Sequence, residues 1–329
     1  MRVLVTGASG RIGANIVREL TQNGHQVRAG IRPGTGRVEK LRPFPVEVVE
    51  ADLRDPAALA MAVDGADAVV HNGVIFSSEP AEMVGGSLNA TAALLEAARV
   101  EGCRRFVFIS STAVYEGTAY RPGDPVREDE AGPCIGSVYG ACKLAAEALC
   151  NAYRLQYGLP TISLRLPMVT AGAELLAHGF LLETWKDRME NDRDLGRSGW
   201  QAVVEWALEG GKRIAVPLNK GGTPWTRHFC DVRDAARAVR LALEASDDPC
   251  GAFNIASVPI QYSAAAVYLR EVSGWETAEI PAPEDYRYEF SLHRAADFLG
   301  YSPAFSAREM IPDAWRQRQG EEIPGLIPP

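Results

Sequence analysis

The tightest constraint on how this chain can fold is the run from Arg2 to Gly13, Arg-Val-Leu-Val-Thr-Gly-Ala-Ser-Gly-Arg-Ile-Gly. An apolar stretch, Val3 to Val5, enters it. Glycines follow at Gly7, Gly10 and Gly13, and Ile12, Ile16, Val17 and Leu20 recur beyond them at helical spacing. Gly24 stands where a helix C-cap glycine belongs. Strand, glycine turn and helix in that order is the layout of a dinucleotide site. Small residues let the backbone approach a pyrophosphate, and the helix N-terminus presents unpaired N–H groups and the positive end of its dipole. The spacing is Gly-x-x-Gly-x-x-Gly instead of the commoner Gly-x-Gly-x-x-Gly. Alone it would suit an ordinary turn; its flanking strand and helix make it a binding motif.

The remainder repeats this alternation. Strands are expected at Gln26–Ile31, Val46–Val49, Ala68–His71, Arg105–Ile109 and Thr161–Leu166. Helices are expected from Pro56 to Val63, from about Ala81 to Val100 and from about Val138 to Tyr157, the last stopped by Gly158 and Pro160. A Pro/Gly/acid-rich loop runs from Tyr120 to Pro133. Such alternation implies a doubly wound parallel sheet with helices on both faces. After Pro167 the pattern changes to a mixed region holding Trp185, Trp200, Trp206 and Trp225. These tryptophans suit a lobe core or an aromatic-lined site. A strand-like stretch His228–Cys230, a helix Val232–Leu243 and a strand Phe253–Ala256 follow. Short helices are expected at Ala264–Ser273 and His293–Leu299, then a proline-rich tail with a mobile end.

Net charge is −8 over 329 residues, which argues against a nucleic-acid or anionic-membrane surface. The six cysteines form no Cys-x-x-Cys pair and no histidines stand at zinc spacing, so free thiols in a reducing cytoplasm and no metal site are expected. The first strand begins at residue 3, leaving no room for a signal peptide, and no apolar run reaches membrane-spanning length.

The main catalytic candidate is Tyr139-Gly-Ala-Cys-Lys143. Positions i and i+4 share a helix face. An ammonium beside a phenol favours the phenolate, and a tyrosine so tuned can exchange a proton with a substrate oxygen near neutral pH. A solvated helix face is the alternative. Ser111 follows the fifth strand, at the sheet edge where such folds bind ligands, and its hydroxyl would either hydrogen-bond the same substrate oxygen or cap the strand.

Together, Gly7-x-x-Gly10-x-x-Gly13, Asp52-Leu-Arg-Asp55, Asn89, Phe108-Ile-Ser-Ser-Thr-Ala-Val-Tyr115 and Tyr139-x-x-x-Lys143 running into Glu147 resemble the extended short-chain dehydrogenase/reductase superfamily, and within it the NAD-dependent epimerase/dehydratase branch. Arg227-His-Phe-Cys-Asp-Val-Arg-Asp234 resembles a later segment of that branch. The resemblance implies Tyr139 as acid/base, Lys143 lowering its pKa and holding the nicotinamide ribose, and Ser111 bonding the substrate oxygen with Thr112 beside it. It implies a cofactor seat at Gly7, Ser9, Gly10, Arg11, Ile12 and Gly13, with Asp52 and Leu53 near the adenine. His71, Asn72, Gly73 and Pro167 would line the same cofactor.

Three departures from the branch refine this. The second strand ends in Ile31 and Arg32 where an acid would bind ribose hydroxyls; Val27-Arg-Ala-Gly-Ile-Arg32 resembles plant flavonoid reductases, in which such an arginine meets a 2′-phosphate. NADP is therefore favoured over NAD, with a solvated loop residue as the other reading of Arg32. Thr112 and Ala113 stand where 4,6-dehydratases carry an Asp-Glu pair, which argues against that elimination. Met168-Val-Thr-Ala-Gly172 lacks the Asn and Gly-Pro usual after the sixth strand of nucleotide-sugar enzymes, whereas Arg227, a diphosphate contact in that branch, is kept. A salt bridge to a neighbouring acid is the alternative for Arg227.

Three functions follow as expectations: an NADP-dependent oxidoreductase on a carbonyl or secondary alcohol, a nucleotide-sugar epimerase with tightly held NAD, and a non-catalytic dinucleotide sensor. The resemblance also implies a seven-stranded cofactor domain at 1–170 plus about 227–256. A substrate lobe would come from about 171–226 and 257–329, binding a small molecule in the intervening cleft. Homodimerisation through the two long helices is expected.

Overall fold

A computed structural model of the chain describes residues 1–115, 124–132, 136–191, 200–246 and 249–329. Residues 120–123 and 133 of the expected Tyr120–Pro133 loop lie outside these, as does Cys134. Chain order begins β1 (Arg2–Thr6), α1 (Arg11–Gln22), β2 (Gln26–Ile31), β3 (Val46–Glu50), α2 (Pro56–Val63) and β4 (Ala68–His71). It continues α3 (Pro80–Glu101), β5 (Arg105–Ser111), α4 (Val138–Tyr157), β6 (Thr161–Leu166) and β7 (Val169–Thr170). Next come α5 (Leu182–Asn191), α6 (Trp200–Glu209), β8 (Ile214–Leu218), β9 (Thr226–Arg227), β10 (Cys230–Asp231), α7 (Val232–Glu244) and β11 (Gly251–Asn254). The last elements are β12 (Ile260–Gln261), α8 (Tyr262–Ser273), β13 (Thr277–Pro281), β14 (Arg287–Tyr288), α9 (His293–Leu299) and α10 (Ala307–Arg318).

The central sheet has seven strands in the order β11-β6-β5-β4-β1-β2-β3, all parallel. Strand side chains alternate between its two faces. Val3 and Val5 of β1 and Val107 and Ile109 of β5 join one core with Ile16 and Leu20 of α1 and Val239 of α7. Leu4, Phe106 and Phe108 join the opposite core with Leu59 of α2, Leu94 of α3 and Ala146 of α4. The inner strands β1, β4, β5 and β6 are buried on both sides, which is why they read as largely apolar runs, whereas the edge strand β3 alternates Val with Glu and is partly exposed.

A separate core belongs to the later segments. Trp185 of α5, Trp225, Ile214 of β8, Leu269 of α8 and Ile311 of α10 pack in it. Trp185 and Trp225 are core residues, whereas Trp206 is exposed. The sequence pattern does not reveal α10, because Pro312 interrupts it; Ser306 and Glu309 start it with reciprocal capping bonds. The tail is docked and not mobile at its end. Ile323 and Leu326 are buried in the sheet core, Asn15 bonds both the N–H and the carbonyl of Ile327, and the Lys40 amine bonds the Pro328 carbonyl. The strand expected at His228–Cys230 forms at Cys230–Asp231, where it pairs with β7.

Candidate active site

The glycine motif closes a cradle between β1 and α1. Gly7 has φ +62°, a conformation side chains disfavour, and a Cβ there would lie 3.0 Å from the Gly73 Cα. A Cβ on Gly13 would fall 2.1 Å from the Gly7 carbonyl oxygen, so only glycine lets α1 lie this close to the turn. Gly10 is the N-cap of α1 in extended conformation, with no side-chain cap and no acid in the first turn. The first N–H groups of α1 therefore keep their capacity for an anion. These features fit a dinucleotide pyrophosphate.

The neighbouring loop is held by Thr6. Its hydroxyl accepts the N–H groups of Asn72 at 3.1 Å and Gly73 at 3.0 Å and bonds His71 Nδ1 at 3.0 Å. The His71 side chain does not face the cleft. It is buried, reaches Thr91 from Nε2, and is held neutral, its pKa pushed down to about 3 by burial and then by Lys143. Asn72 lines the cleft, Gly73 packs against the Leu53 side chain, and Asp52 accepts the Arg54 N–H. Arg32 is exposed just past β2, and no carboxylate of the described residues pairs with it.

Ser137 starts α4 by accepting the Gly140 N–H, which puts Tyr139 in the first turn and Lys143 one turn on. Lys143 is not on a solvated face. It is 6% exposed, donates to the Ile109 carbonyl at 2.7 Å, and lies 5.8 Å from the Tyr139 ring centroid. Burial lowers its pKa to about 8. Ser111 is the last residue of β5, two positions beyond the expected strand, and its hydroxyl accepts the Ala113 N–H at 3.1 Å. Phe76 stacks on Tyr139 with ring centroids 5.9 Å apart and planes 20° from parallel.

Ser111, Thr112, Tyr139, Lys143, Arg11, Ile12, Asn72, Pro167 and Arg227 line one cleft of about 680 Å³. Gly7, Ser9, Gly10 and Gly13 form the cradle, while Arg32, Asp52 and Leu53 lie outside the cleft lining. Arg11 pairs with Glu174 at 2.9 Å. Arg227 makes no salt bridge among the described residues; its guanidinium stands 4.8 Å from the Phe229 ring centroid and 4.6 Å from that of Tyr286. Beside it, burial and then Arg227 and Arg11 push His178 down to about 4.

The aromatic wall, Tyr286, Tyr288 and Phe290, escapes the sequence reading. A signal was present, since Tyr286-Arg-Tyr-Glu-Phe290 alternates aromatic and charged residues with the period of a strand. Phe76 and Met168, both exposed on the cleft, carry no periodic signal.

Residues 3–256 match the profile of a family described as NAD dependent epimerase/dehydratase. A 3 beta-hydroxysteroid dehydrogenase/Delta 5→4-isomerase of Mycobacterium tuberculosis is 32% identical over 183 residues, and the match covers 50% of this chain but only 46% of that protein. This chain thus spans about half the length of such relatives. A uronate dehydrogenase of Pseudomonas putida is 31% identical over 277 residues, 78% of this chain and 96% of the relative. Among solved structures, a short-chain dehydrogenase/reductase superfamily protein from Agrobacterium tumefaciens with bound NAD superposes with a TM-score of 0.80 at 30% identity, covering 97% of this chain and 98% of that one.

Proposed function

The chain belongs to the NAD-dependent epimerase/dehydratase family of extended short-chain dehydrogenases/reductases, and on that premise we propose that it is an NADP-dependent oxidoreductase acting on a carbonyl or secondary alcohol. The observation that carries the proposal is the convergence of Ser111, Tyr139 and the buried Lys143 on one cleft beside the glycine cradle. The nicotinamide supplies the hydride acceptor and donor at its C4. In the reductive direction the Tyr139 hydroxyl gives its proton to the carbonyl oxygen, and in the oxidative direction it takes the proton back. The Ser111 hydroxyl donates to the same oxygen, with Thr112 beside it. Lys143, charged below pH 8, lowers the proton affinity of Tyr139 and meets the nicotinamide ribose.

In this reading Gly7, Ser9, Gly10, Arg11, Ile12 and Gly13 seat the pyrophosphate. Asp52 and Leu53 meet the adenine, Asn72, Gly73 and Pro167 line the nicotinamide end, and His71 acts only through its backbone. Arg32, exposed and without a carboxylate partner among the described residues, takes the 2′-phosphate of NADP. The cofactor domain is 1–170 with about 227–256, and the substrate lobe is about 171–226 with 257–329. The separate packing of the Trp185–Trp225 core supports that division for 175–225, 260–282 and 307–314, while Ala295, Leu299, Tyr301, Ile323 and Leu326 pack in the sheet core. We assign a homodimer through α3 and α4, supported by exposed Val100 and Leu155 on those helices. A cytoplasmic location is supported by the free thiols of Cys103, Cys142, Cys150, Cys230 and Cys250.

One observation favours a second reading. Arg227 stands in the cleft without a carboxylate among the described residues, as a nucleotide-sugar epimerase would need for a diphosphate. The deciding experiment is titration of the purified protein with NADPH and NADH, following nicotinamide fluorescence, after assaying any cofactor retained on isolation. Exchangeable binding with preference for NADPH supports the oxidoreductase; tightly retained NAD supports the epimerase.

A further inference from the structure

Resting on the oxidoreductase reading, we infer that the substrate is an oxo or hydroxy acid with an apolar body, its reacting oxygen at Ser111 and Tyr139 and its acid group at Arg227. The first support is Arg227 itself. Its cation lies against two aromatic rings, Phe229 and Tyr286, and lacks a carboxylate partner among the described residues. Ring contact fixes the planar guanidinium and removes part of its hydration, leaving its N–H fork available for a bidentate anion.

The second support is the apolar wall of the same cleft. Phe76, Val126, Met168, Tyr288 and Phe290 line it. Phe76 is 73% exposed, Met168 43% and Tyr288 39%. Large apolar side chains left open inside a cleft, and not scattered over the surface, mark a site that covers apolar surface of a ligand.

The third support is the state of the polar groups. Ser110 donates to Glu147, the Tyr115 hydroxyl joins Asn254 and Arg165, and Arg11 is paired with Glu174. His228 donates from Nε2 to the Ser257 carbonyl and accepts the Phe290 N–H at Nδ1, so both ring nitrogens are used. Among the described residues the cleft lining contains no Asp, Glu or Gln. A sugar bound here would find no carboxylate to receive its ring hydroxyls, only the amide of Asn72 and hydroxyls such as those of Thr112 and Tyr286. An apolar body asks for none of these partners.

The test uses the full-length protein saturated with NADPH for turnover and with NADP⁺ for calorimetric binding. The probes are 3-benzoylpropionate and 4-oxodecanoate, the methyl ester of each, and D-glucuronate, the last assayed for oxidation with NADP⁺. The expected result is that the oxo acids are reduced, with kcat/KM at least about tenfold above their esters. Arg227→Met brings that ratio towards one. Equal use of acid and ester, binding of none of the oxo acids, or a preference for glucuronate overturns the inference, and turnover of glucuronate does so while leaving the oxidoreductase reading intact. Oxo acids that bind through Arg227 but are never reduced with NADPH or NADH overturn the inference together with the oxidoreductase reading.

Discussion

The Lys143 ammonium donates to the Ile109 carbonyl at 2.7 Å, tying the second turn of α4 to the strand that ends in Ser111. A buried cation meeting one main-chain oxygen is only partly compensated, so burial lowers its pKa from 10.5 to about 8. In the proposed mechanism the ammonium is the active form, and it is lost as pH rises through about 8. The unfolded chain binds this proton up to about 10.5, more tightly than the folded one, so this lysine's contribution to stability rises with pH between those values. We therefore expect kcat/KM to fall above pH 8 while the stability of the wild type relative to Lys143→Met rises. A rate unchanged to pH 10 would refute the assignment of Lys143.

Tyr139→Phe keeps the ring stacked on Phe76 and removes only the hydroxyl. It should bind NADPH as the wild type does, by fluorescence titration, and lose about 10²- to 10⁴-fold in kcat. Full activity in this variant would mean that another group moves the proton.

Gly13→Ala puts a methyl carbon 2.1 Å from the Gly7 carbonyl oxygen. The main chain of the cradle must give way, at a cost of about 1–3 kcal/mol. Thermal unfolding should register that loss, and NADPH affinity should fall with it. An unchanged Kd would show that the cradle is not the pyrophosphate seat.

Arg32 lies past β2, where a 2′-phosphate would stand, and Arg32→Glu reverses the charge at that point. The ratio of KM values for NADPH and NADH should shift by about tenfold or more in favour of NADH, since one such contact is worth at least about 1.4 kcal/mol. No change in the ratio would return Arg32 to the solvated loop.

Glu147 and Arg165 form a buried pair at 2.6 Å, joined by Ser110 and Tyr115, both of which line the cleft. Glu147→Ala leaves Arg165 buried without its carboxylate, and chemical denaturation should show a loss of about 3–5 kcal/mol. The double variant Glu147→Ala with Arg165→Leu should recover part of it. Failure of the double variant to recover any stability would show that the pair contributes little beyond its shape.

By itself the sequence determined what local pattern can carry. The apolar runs located the inner strands, because a strand buried on both faces is apolar nearly throughout. The capped, glycine-ended helix at 138–157 and the glycines at Gly7, Gly10 and Gly13 located the cradle and the Tyr139–Lys143 face, because a helix turn and a tight turn are set within a few residues. Tertiary structure alone decided the rest. The turn of His71 into α3 depends on Thr6 and Thr91, 65 and 20 residues away. Arg227 meets Tyr286 across the intervening α7 and α8, and the tail reaches back to Asn15 across 312 residues. Lys143 has the composition of a surface residue, and only the packing of α4 on β5 buries it and moves its pKa. Such contacts join loops and strand ends that have no periodicity of their own, so their partners are fixed by the folded chain and not by their neighbours in sequence.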